Sequence, residues 1–102
     1  MLLLATGANA QDKPLVLPQV EGGKQGRVVG RAIACGVPQE RIAAYLGAAR
    51  ERMLKAVGGP FTQDRYLPAL GQAIDQETSL GKPSEAACAK ALDAFGRLES
   101  GE

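Results

Sequence analysis

Three Gly/Pro interruptions, Gly36 to Pro38, Gly58 to Pro60 and Gly81 to Pro83, cut the second half of this 102-residue chain and the stretch before it into four segments of helical length. Glycine just past a helix end accepts the left-handed conformation that stops it, and proline at the start of the next helix has no amide hydrogen to lose. Each segment repeats its apolar residues at helical spacing. Short turns between helices of similar length favour antiparallel neighbours. The expected fold is therefore all-α: a small four-helix up-down bundle-like domain over residues 23-99.

The second segment is the clearest. Ile42, Tyr45, Leu46, Ala49, Met53 and Val57 form one stripe, with Glu40, Arg41, Arg50, Glu51, Arg52 and Lys55 outside it. In the first, from about Gly23 to Cys35, Val28, Val29, Ala32, Ile33 and Cys35 share a face beside a basic stripe of Lys24, Arg27 and Arg31. Gly22, Gly26, Gly30 and Ala34 recur every four residues as a ridge without side chains. Each helical glycine costs about 1 kcal/mol relative to alanine, so the ridge predicts that a neighbouring helix packs very close there.

The third segment carries Tyr66, Leu70, Ala73, Ile74 and Leu80 on its apolar face, with Thr62 placed to cap it. Pro68 falls several residues in, which predicts a kink or a late start near Leu67. Glu77 projects among the apolar residues and is the oddest placement in the chain. It is read either as a helix-end acid paired with an arginine or as a buried acid with a raised pKa. In the fourth, Ser84 caps a stripe of Ala87, Cys88, Ala91, Leu92, Phe95 and Leu98.

An up-down-up-down path brings the end of the first helix, the start of the second, the end of the third and the start of the fourth to one pole. Cys35 and Cys88, the two cysteines, both land there. A disulfide between them is the expected staple, and a loop of this length contributes about 4 kcal/mol in the chain-entropy model. Metal binding would need further ligands, and the chain has no His and no other Cys. The same pole gathers Arg31, Arg41 and Glu77, an expected buried polar pair whose arginine could be either.

Residues 1-10 are apolar, uncharged and end in Ala8-Asn9-Ala10, a small-x-small pattern that reads as the C-terminal part of a signal peptide. Residues 11-22, with Pro14, Pro18 and two glycines, are expected to form an extended N-terminal arm. No segment approaches the ~20 apolar residues of a membrane span. A periplasmic or secreted address follows as an expectation, and it agrees with a disulfide.

Net charge is +1, but unevenly spread. Residues 24 to 55 hold seven bases against two acids, and residues 56 to 102 hold four bases against seven acids, so the halves are expected to neutralise each other side by side. Without aromatic residues interleaved among the bases, nucleic acid is a poor partner. Without His, Ser-His-Asp and Cys-His catalysis are excluded. Neither a catalytic residue nor a cofactor is assigned, and the oligomeric state is open.

The plan of a short exported helical domain with two distant cysteines resembles that of several periplasmic proteins, among them acid-stress chaperones and small immunity proteins. Only the plan is shared, and it transfers no residue. The expected function is a non-enzymatic binding module for another protein, with Lys24, Arg27 and Arg31 beside the glycine ridge, and the polar flank of the second helix, as its contact surfaces. The alternatives are an acid-stress holdase and, after it, a small-ligand carrier or enzyme.

Overall fold

A computed structural model describes residues 15–101, and the expected signal-peptide tail lies outside them. Four helices run through the described residues: α1 Pro18–Ala34, α2 Gln39–Val57, α3 Leu67–Ser79 and α4 Glu85–Glu99. All are α-helical, as the periodicity predicts.

α1 starts five residues earlier than the Gly22-Gly23 pair suggests. Pro18 occupies its first turn, where a missing amide costs nothing, so only residues 15–17 remain of the described part of the expected arm. Its other end is a Schellman closure. Gly36 turns at φ +94°, its amide bonds the Ile33 carbonyl at 3.0 Å, and the Val37 amide reaches back to Ala32 at 3.0 Å. Val37 and Ala32 are both buried in the same apolar cluster, which fixes the direction in which the chain re-enters α2.

α3 is entered through an unbroken helical run rather than a fresh cap. A single turn, Gly59–Phe61, passes into a π-helical turn, Thr62–Tyr66, and then into α3. The Leu67 amide bonds the Thr62 carbonyl five residues back. This widened turn gives Pro68 room within the run, where an ordinary helix would set its ring against the carbonyl four residues earlier. The expected cap at Thr62 is therefore wrong: its hydroxyl donates to the Gly58 carbonyl at 2.7 Å, and the side chain is buried. Ser84 does cap α4, accepting the Ala87 amide at 3.2 Å.

The glycine ridge meets α3, as expected of it. A Cβ built on Gly22 would lie 2.6 Å from the Tyr66 carbonyl oxygen, on Gly26 2.6 Å from that of Leu70, and on Gly30 2.6 Å from the Glu77 Cβ. The pairings rise together along both helices, so α1 and α3 run parallel in backbone contact. α2 runs antiparallel to both. Its first half packs on the C-terminal half of α1 through Ile42 and Tyr45, and Met53 packs on Tyr66 and Leu70 at the other end. Leu46 and Ile74 join the two clusters.

α4 attaches differently. Cys88, in its first turn, is disulfide-bonded to Cys35 with the Cα atoms 5.5 Å apart. Phe95 is fully buried, edge-on to Tyr45 with ring centroids 5.6 Å apart. In its last turn Glu99 takes three hydrogen bonds of 2.6 to 3.1 Å from Arg41. Both ends of α4 are thus tied to the corner between α1 and α2. Leu92, expected in its apolar stripe, is 41% exposed, and Ile33 of α1 is 39% exposed.

Candidate functional site

The glycines draw α3 onto α1 and α4 packs against α1 as well, yet α3 and α4 scarcely touch. The space left between them is a groove of about 550 Å³. Val28 and Arg31 of α1 form its floor. One wall is Glu77, Leu80 and the Gly81-Lys82-Pro83 turn, and the other is Ala87, Lys90, Ala91, Ala94 and Arg97 on one face of α4.

Glu77 lies in that groove, and its partner is Arg31, whose Nε donates to Oε1 at 2.9 Å. The carboxylate is largely covered and the guanidinium largely exposed, so the pair sits at the groove surface with its charge neutralised. This is the paired reading of Glu77. Arg41 is not part of it. It extends to Glu99 instead, with its guanidinium 5.2 Å from the Phe95 ring centre, because its side of α2 faces α4 and not α3. The hydrogen-bonding guanidinium holds the Glu99 carboxyl below its ordinary value. Both inter-helix ion pairs join a base of the first half to an acid of the second, which is the expected neutralisation.

The glycine ridge is not a contact surface, since α3 covers it. Lys24, Arg27 and Arg31 are exposed, but they do not share a site. Arg31 belongs to the groove, while Lys24 edges a separate recess with Glu21, Tyr45 and Arg52. Within the groove the charge is one-sided. Arg31, Lys82, Lys90 and Arg97 stand against Glu77 alone. Arg31 and Arg97 are paired, the latter with Asp93; Lys82 and Lys90 have no ion pair among the described residues.

Sequence reasoning missed the groove. Leu80 was expected in the core, yet it lies just past the end of α3, 78% exposed, on the groove wall. The available signal was Lys82, Lys90 and Arg97 set beside Ala87 and Ala94 on the same side of the last segment.

Among the described residues no group of His, Cys, Asp and Glu could hold a metal ion, and no helix is long and apolar enough to cross a membrane. Comparison with protein families, with curated proteins and with solved structures gives no match.

Proposed function

We propose that the chain is a small exported protein, periplasmic or secreted, that acts without catalysis as a binding module for another protein. The observation that carries this reading is the open groove between α3 and α4, which combines alanine and valine methyls with a surplus of positive charge. Apolar surface left between two helices with basic residues around it suits recognition more than chemistry. The Cys35–Cys88 bond supports the address, because such bonds persist in oxidising compartments. Affinity capture from periplasm or culture medium is expected to return one stoichiometric protein partner, and recovery of the protein alone overturns the reading. Intact mass with and without reductant tests cleavage near Gln11 and the bridge together.

A second reading, acid-stress holdase, is favoured by one observation: the Arg31–Glu77 and Arg41–Glu99 links between helices both depend on a carboxylate. Strong acid that neutralises the chain's carboxylates would weaken such links and expose apolar faces. Light scattering from an unstable client at low pH separates the two readings; a holdase suppresses aggregation and a partner-specific module does not.

A further inference from the structure

We infer that the groove between α3 and α4 receives an acidic amphipathic helix of the partner protein. This rests on the binding-module reading and names the partner's chemistry.

The groove walls explain the shape of the occupant. Ala87 and Ala94 line the α4 wall about 10 Å apart along the helix, with Ala91 buried between them, so that wall offers short methyl groups flanked by the longer Lys90 and Arg97. The molecule itself shows what such a surface accommodates: where α1 offers only glycine, α3 lies against it as a helix. A helix satisfies its own backbone hydrogen bonds, whereas an extended segment would find no strand edge among these elements to pair with. A small ligand in a trough open along one side would leave much of its surface in water, unlike ligands in enclosed pockets.

Charge decides the sign. Four bases line the groove against one acid; Arg31 is paired with that acid and Arg97 with Asp93, which leaves two bases without a partner among the described residues. Lys82, in the turn at one end, and Lys90, one turn into the α4 wall, are exposed and unpaired among the described residues. An occupying helix with carboxylates flanking an alanine or leucine stripe pairs with both, while a basic helix meets uncompensated like charge.

The test uses the full disulfide-bonded protein and a synthetic amphipathic peptide of about four helical turns with glutamates flanking an Ala/Leu stripe. Its counterpart carries lysines in place of the glutamates. Calorimetric titration is expected to show saturable one-to-one binding of the acidic peptide only. The double variant Lys82→Glu/Lys90→Glu, both residues exposed and outside the core, is expected to weaken binding about tenfold, and Ala94→Trp to abolish it. Circular dichroism of each variant confirms that the fold is kept. Equal binding of the two peptides, or an unchanged affinity in the lysine double variant, overturns the inference. So does dodecanoate perturbing the groove residues when the acidic peptide does not, or a dimer of the free protein that Ala94→Trp breaks apart. If a protein partner is captured and its binding ignores Lys82 and Lys90, the module reading survives and this inference falls. If no partner is captured and no peptide binds, both fall.

Discussion

α3 is held on α1 by backbone proximity spread over three glycines; α4 is held by a covalent bond to the end of α1, by the buried Ala91 and Phe95, and by an ion pair to α2. The first arrangement distributes contact along a seam and tolerates no added atom. The second concentrates it at points, leaving most of α4's surface free. α3 is zipped to α1 along its length while α4 is fastened at a few residues, and the groove lies where α3 and α4 fail to meet.

Removing the bridge should expose the difference most strongly. Replacing Cys35 and Cys88 by alanine is expected to lower stability by about 4 kcal/mol, read as the shift in denaturant midpoint. Amide exchange should accelerate in α4 before α1 and α3; uniform acceleration would erase the distinction between the two sides.

The seam is tested by Gly26→Ala. The new methyl meets the Leu70 carbonyl oxygen at 2.6 Å and the Ala73 Cβ at 2.7 Å, and neither atom is the flexible end of a long side chain. Contacts this short onto a backbone oxygen and a Cβ place the overpacking toward the upper end of about 1–3 kcal/mol, above a propensity gain of about 1 kcal/mol, so net destabilisation is expected. Gly47→Ala, in α2 with no atom within 4 Å of the new methyl, should stabilise by about that propensity gain. If both variants shift the thermal midpoint the same way, close approach is not what the ridge is for.

Alkali and acid then probe opposite sides. Tyr66 lies on the seam, its hydroxyl bonded to Gln25 of α1, and burial pushes its pKa up to about 12. Unfolding returns it to about 10, so its contribution is full below about pH 10 and is lost as pH rises through about 12. Tyr45 is raised too, chiefly by burial, and these are the chain's two tyrosines. Phenolate absorbance should therefore appear together with loss of helical signal, and a phenolate signal near pH 10 with helicity intact would contradict the burial. The smallest effect is at Glu99. Its carboxyl is depressed in the folded state, so its contribution is present above its ordinary value of about 4.5 and disappears as pH falls through the lower folded value. Glu99→Gln should remove that acid dependence and loosen the C-terminal turn of α4 while the seam stays protected.

Much of this was legible before any coordinates. The Gly/Pro breaks mark the four helices, the ridge of Gly22, Gly26 and Gly30 demands a close neighbour, and the path that follows brings Cys35 to Cys88. What stayed hidden is tertiary. Gly22 and Gly23 look like breakers until α3 covers the ridge. A π turn that makes room for Pro68 leaves no trace in apolar spacing. Arg31 and Arg41 occupy the same pole by topology, and only the side of α2 that faces α4 assigns Arg41 to Glu99. The groove follows from the separation of α3 and α4, which is encoded in neither helix alone.

The Cys35–Cys88 bond also makes a closed ring of everything between those residues, α2 and α3 included. A protease that nicks the ring once, at Gly58 for example, leaves a single particle of almost unchanged mass whose two pieces part only under reductant. A nick just after Cys88 leaves the rest of α4, with Lys90, Ala91 and Ala94, joined to the ring by no covalent bond.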